Sequence, residues 1–150
     1  MLGRVVHIGV TVSDIERSIE FYRDTLGLNF QGRMVMEGES TDKLFNIKDC
    51  RVEVAYLNGS DKLNTPTIEL LEINEREETE EEIKLNKLSI SEICFTVNNI
   101  DEIYKDLEEE GVEFLSPPQY FDLKDQGFGE SKAVYFKDPD GIILELIENI

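Results

Sequence analysis

Polar and apolar residues alternate from Val5 to Val12, which puts Val6, Ile8, Val10 and Val12 on one face of a strand and His7, Gly9 and Thr11 on the other. Ser13-Asp14-Ile15-Glu16 follows with the spacing of a capping box, in which a hydroxyl and a carboxylate satisfy the free amides of a helix start. Ile15, Ile19, Tyr22 and Leu26 then recur at helical spacing, and Gly27 ends the run. Leu28 to Met36 and Arg51 to Leu57 read as strands, joined by a polar loop with a short turn around Leu44-Phe45. Pro66 introduces a further strand, Thr67 to Ile73. The order is βαβββ.

The order then repeats. His7-Ile8-Gly9-Val10-Thr11-Val12 returns as Glu92-Ile93-Cys94-Phe95-Thr96-Val97, inside a strand predicted over 90–97. Asn98 or Asn99 caps a helix carrying Ile100, Ile103, Tyr104 and Leu107, which ends at Gly111. A short strand is expected at 112–115, then a polar loop from Phe121 to Glu130 with Phe128 as a candidate lid contact. Lys132 to Lys137 is the next strand. Asp138-Pro139-Asp140-Gly141 is a turn, and Ile142 to Ile147 closes the second module. Ile68-Glu69-Leu70-Leu71-Glu72 and Leu144-Glu145-Leu146-Ile147-Glu148 end the two modules alike. The chain therefore reads as one α+β domain of two βαβββ modules, 4–74 and 89–150, joined by an acidic linker at 75–88, with curved mixed sheets around a cleft.

Composition narrows the classes of partner. With 33 Asp and Glu against 15 Lys and Arg, the formal charge of −18 repels nucleic acid and anionic membranes. Part of it sits in Glu75-Arg76-Glu77-Glu78-Thr79-Glu80-Glu81-Glu82, read as a solvated linker or a frayed helix start. No apolar run is long enough to span a bilayer, and the start of the chain lacks a signal-peptide layout, so the expected compartment is cytoplasm. Cys50 and Cys94 both lie in apolar segments and read as reduced core thiols. Arg4, Arg33 and Arg51 read as solvated surface residues.

Strand parity places His7 and Glu92 opposite the helix-bearing faces, and Glu69 and Glu145 likewise, since Ile68, Leu70, Leu144 and Leu146 point the other way. Four ionisable residues thus stand at matching points of two modules. Three carboxylates in one cleft cannot all stay ionised cheaply, and a divalent cation removes that conflict. One imidazole with several carboxylates suits Mn²⁺, Mg²⁺ or Fe²⁺, with Zn²⁺ and Ni²⁺ also compatible. Such an ion with open positions can bind neighbouring substrate oxygens and stabilise an enediolate, while a carboxylate moves the proton. There is no phosphate-cradling glycine loop and no Gly-x-Ser-x-Gly elbow.

The chain resembles the vicinal oxygen chelate superfamily over nearly its whole length. The resemblance rests on His7-Ile8-x-Val10-x-Val12 with Ser13-Asp14, on Ser18-Ile19-Glu20-Phe21-Tyr22-Arg23-Asp24-Thr25-Leu26-Gly27-Leu28, on Ile68-Glu69-Leu70, and on Phe136-Lys137-Asp138-Pro139-Asp140-Gly141 with Glu145-Leu146. It implies a metal held by His7, Glu69, Glu92 and Glu145, a small-molecule substrate and a homodimer. His7, Glu69 and Glu145 match the pattern of glyoxalase I-like proteins, whereas Glu92 stands where the superfamily usually has His. Extradiol dioxygenases and fosfomycin-modifying enzymes use two His and a carboxylate, so those activities recede. The activity the resemblance implies is that of a glyoxalase I-like lyase or isomerase, with Glu145 or Glu69 as proton shuttle. The alternatives are a metal-free, bleomycin-resistance-like binding protein and a methylmalonyl-CoA epimerase-like isomerase.

Overall fold

The computed structural model describes residues 3–59, 66–78 and 81–150. The chain divides into two compact units, Met1–Thr79 and Glu80–Ile150, each with its own four-stranded mixed sheet. The first contains β1 (His7–Thr11), α1 (Ile15–Glu20), β2 (Asn29–Glu37), α2 (Glu39–Phe45), β3 (Arg51–Asn58) and β4 (Thr67–Ile73). The second contains β5 (Ile93–Thr96), α3 (Ile100–Glu109), β6 (Gln119–Asp122), β7 (Glu130–Lys137) and β8 (Ile143–Asn149). The fold is α+β, as the sequence pattern implies.

Both sheets have the same topology. In the first the order is β1-β4-β3-β2, an antiparallel meander closed by the parallel pair β1–β4. In the second the order is β5-β8-β7-β6, again closed by a parallel pair. Parallel neighbours need a long crossover, and here that crossover carries the helix. α1 lies against β3 and β4, and its buried side is Ile15, Ser18 and Ile19, with Tyr22 in the turn beyond. After Glu20 the helix widens to five-residue spacing over Phe21–Thr25, and Gly27 reverses the chain at φ +72°.

Both helix starts receive a carboxylate from the closing strand of their module, and α1 departs from the expected capping box. Asp14, not Ser13, caps α1 by accepting from the Arg17 amide, while the Ser13 hydroxyl accepts from the Arg17 guanidinium and Glu16 pairs with Arg33. The competition for Glu16 comes from β2, which brings Arg33 within 2.6 Å. The last strand of each module then adds a carboxylate. Glu72 accepts from the Ile15 amide at 2.6 Å, and Glu148 accepts from the Asn99 and Ile100 amides at 2.7 and 3.1 Å. Charged acceptors at a helix N-terminus meet both free N–H groups and the positive end of the helix dipole. Asn99 occupies the cap position of α3 in the left-handed region, and its side chain makes no cap bond to the helix backbone.

Other expectations need correcting. The turn around Leu44-Phe45 is the end of α2, whose carboxylate Asp42 accepts from the Asp49 and Cys50 amides and so ties the helix to the start of β3. Residues 112–115 form no strand; Phe114 makes a single bridge to Phe136, because Ser116-Pro117-Pro118 interrupts the run. The pairing with β7 is made instead by β6, and the segment read as an open loop holds the end of that strand and a short 3₁₀ turn at Lys124–Gln126. Val6 is exposed although parity put it on the buried face, since it precedes β1. In the 75–88 linker, Thr79 and Glu80 lie outside the described residues, and the described remainder contains no helix. Among the described residues no helix is long and apolar enough to cross a membrane.

Candidate functional site

In the first module the expected site residues come from the two parallel strands. Gly9 is the register partner of Glu69, and His7 stands two residues earlier on the same side of β1. Glu69 and the helix-capping Glu72 are an odd number of residues apart, so Glu69 points away from α1. His7 Nε2 lies 3.3 Å from Glu69 Oε2, with the His side chain half exposed and the Glu side chain 13% exposed.

A residue that the sequence analysis did not single out completes this group. Tyr56 on β3 is the antiparallel partner of Glu69, and its hydroxyl donates to Glu69 Oε1 at 2.6 Å. Burial, then the Glu69 carboxylate, push the phenol up to about 12, so it stays a neutral donor. Its ring packs on the cluster of Cys50, Val52 and Val54, together with Phe45 and Ile47 at and after the end of α2. The face away from α1 is therefore partly covered by a small core of its own. Gly9 leaves the space beside the carboxylate open: an added β-carbon would lie 3.4 Å from Leu71 Cδ1 and 3.5 Å from Glu69 Oε2.

The second module repeats the register with other side chains. Cys94 is the parallel partner of Glu145, and Tyr135 is its antiparallel partner. Cys94 thus takes the place of Gly9, Tyr135 that of Tyr56, and Glu92, immediately before β5, that of His7. The sequence reading made Cys94 a core thiol; only Cys50 is buried, and Cys94 is exposed on the carboxylate-bearing side. Atoms crowding its sulfur, a hydrogen bond to Glu145, and the charges of Glu145 and Glu92 push the thiol up to about 12. Burial and the charges of Glu145 and Glu92 raise the Tyr135 phenol as well. The sequence offers only a trace of the two tyrosines, in that each lies toward the end of a strand-forming stretch, Arg51-Val52-Glu53-Val54-Ala55-Tyr56 and Ser131-Lys132-Ala133-Val134-Tyr135.

Phe128 is strongly exposed. Arg33 pairs with Glu16 and Glu53, and Arg51 with Glu37 and Glu53, which makes both surface ion-pair residues as expected.

Donor chemistry can be judged module by module. The first supplies an imidazole nitrogen and a carboxylate oxygen that converge, with the second carboxylate oxygen held by a phenol and open space beside the first; this fits a divalent cation. The second supplies Glu145 and Glu92 around a protonated thiol. Within either module, no three His, Cys, Asp or Glu among the described residues gather closely enough to hold an ion.

Comparison with known proteins covers almost the entire chain. Residues 4–146 match the model of the Glyoxalase/Bleomycin resistance protein/Dioxygenase superfamily. Metallothiol transferase FosB of Staphylococcus epidermidis is 31% identical over 97% of this chain and 84% of its own length. The mitochondrial methylmalonyl-CoA epimerase of Mus musculus is 28% identical over 97% of this chain and 72% of its own. Among solved structures, a glyoxalase family protein from Bacillus cereus superposes with a TM-score of 0.82 at 25% identity, covering 100% of this chain and 96% of that one.

Proposed function

Since the chain belongs to the glyoxalase/bleomycin resistance/dioxygenase superfamily, we propose that it is a metal-dependent lyase or isomerase that moves a proton next to a carbonyl of a small molecule. In this reading His7, Glu69, Glu92 and Glu145 are the metal donors, and Glu145 or Glu69 is the proton-transferring carboxylate. The observation that carries it is the duplicated register, in which each module holds a Glu between a parallel-strand neighbour and a cross-strand tyrosine. A solvated-surface account gives no reason for that repetition.

The residues divide the work by how they are held. Glu69, hydrogen-bonded by Tyr56 and facing His7, is suited to fixed ligation. Glu145, whose neighbour is the weakly donating thiol of Cys94, is freer to turn toward a substrate carbon and accept its proton. A bound divalent ion, of Zn, Ni, Mn, Mg or Fe, would supply Lewis acidity for the substrate oxygens. A small-molecule substrate, a homodimer and a cytoplasmic setting belong to the same reading.

Methylmalonyl-CoA epimerase-like chemistry would use the same groups, although the acidic surface is an unfavourable field for a CoA thioester. The relatives named metallothiol transferase point to group transfer; Glu92, in place of the expected second His, stands against that transfer here. Glu92 also supports a rival reading, a binding protein without metal that offers a carboxylate to a cationic ligand.

Metal analysis of protein purified without chelator or affinity tag tests the proposal. Stoichiometric retention, or uptake at micromolar concentration, is expected. Failure of both would remove its chemical basis and leave the binding protein. With metal bound, Glu145→Gln is expected to abolish isomerase activity with the fold intact; full activity would remove Glu145 from its role.

A further inference from the structure

We infer that Tyr56 is a positioning residue, holding Glu69 so that one carboxylate oxygen is committed to the phenol and the other stays turned toward His7. The inference rests on the metal-dependent reading above and adds to it the group that fixes the donor.

The argument begins in the small core on the side of the first sheet away from α1. Val52, Val54 and Tyr56 alternate along β3 and so share one face, where Phe45 and Ile47 close over the valines. The tyrosine ring is held by that packing, and its hydroxyl reaches the cross-strand carboxylate at 2.6 Å. A glutamate carboxylate otherwise turns about its last torsion through a broad well. The phenol removes that freedom by taking Oε1, which leaves Oε2 at 3.3 Å from His7 Nε2. Gly9 contributes by what it lacks, since a side chain there would stand beside Oε2. A neutral phenol is the right donor for this purpose: it orders the carboxylate without neutralising its charge, as a lysine would. The contacts of Tyr56 are with Glu69 and the small core around Val54. It acts through Glu69, and hydrogen-bond partners of metal ligands of this kind typically change metal affinity by about 10–100-fold when removed.

The test uses Co²⁺ and Ni²⁺ alone, titrated into metal-free protein against a chromophoric chelator, for wild type and Tyr56→Phe. The variant is expected to bind about 10–100-fold more weakly, while the metal-free proteins unfold cooperatively at similar midpoints. In a Glu69→Gln background the same substitution is expected to change affinity no further, because the group it positions is gone. Tyr56→Met supplies a second side chain without a hydroxyl should the phenylalanine variant fail to fold. Wild-type protein that takes up neither ion overturns the metal-dependent reading and this inference with it. Wild type that binds while Tyr56→Phe binds equally well overturns this inference alone. So does an affinity loss that persists unchanged beside Glu69→Gln.

Discussion

The two modules place a glutamate at the same register and surround it with different chemistry. In the first, Glu69 has a glycine beside it, a phenol on one oxygen and an imidazole at the other. In the second, Glu145 has a cysteine beside it, and the position of the imidazole is held by another carboxylate, Glu92. Backbone pairing thus conserves where a side chain stands, while the residue chosen there sets whether it is pinned, shielded or left open. Duplication preserves the frame of the site more strictly than its chemistry.

That comparison is open to attack at several points. The largest effect is expected at the equivalent core positions of the two modules, Leu70 and Leu146, both buried. Leu70→Ala and Leu146→Ala should each cost about 2–5 kcal/mol of unfolding free energy in denaturant titrations. A difference beyond that range would mean that one module carries most of the stability. Next comes the thiol. With its pKa near 12, Cys94 in metal-free protein should react with iodoacetamide at neutral pH roughly a hundred-fold more slowly than an ordinary cysteine. Glu145→Gln should speed that reaction, and an unchanged rate would dissociate the thiol from the carboxylate.

Glu92→His makes the second module more like the first. Binding of Zn²⁺ or Ni²⁺ should tighten by about ten-fold, measured by chelator competition; weaker binding would show that Glu92 is the better ligand here. The smallest effect is expected at the caps. The Asn99 and Ile100 amides lower the pKa of Glu148, so its contribution to stability is present above the unfolded value of about 4.3. It is lost as pH falls through the lower folded value. Glu148→Gln should therefore lower the melting temperature slightly at pH 7, with the curves of variant and wild type converging in acid.

Much of this architecture was legible in the sequence because burial writes a period into the strands. Thr67–Ile73 was found to the residue, and parity correctly turned Glu69 away from the helix. What escaped depended on partners distant in sequence. Ser13 and Glu16 have the spacing of a capping box, but Glu72 and Arg33 arrive from other strands and redistribute the bonds. α2 escaped because its seven polar-rich residues carry little periodicity, and its order comes from Asp42 reaching the β3 start. Cys94 looked like core because apolar neighbours flank it, although those neighbours alternate to the opposite face. Tyr56 escaped for a related reason: its importance is a cross-strand distance, visible only once β3 and β4 are in register.

The paired carboxylates of the closing strands have a further consequence for folding fidelity. Glu69 and Glu72, like Glu145 and Glu148, present one acid to each side of their sheet. Shifting either strand by one residue would exchange those sides, leaving a helix start without its anion and driving a charge beneath the helix. A misaligned chain is thus penalised locally, before any ligand arrives. The motif works as a built-in parity check, in which the acid that anchors the helix certifies the side on which the other acid stands.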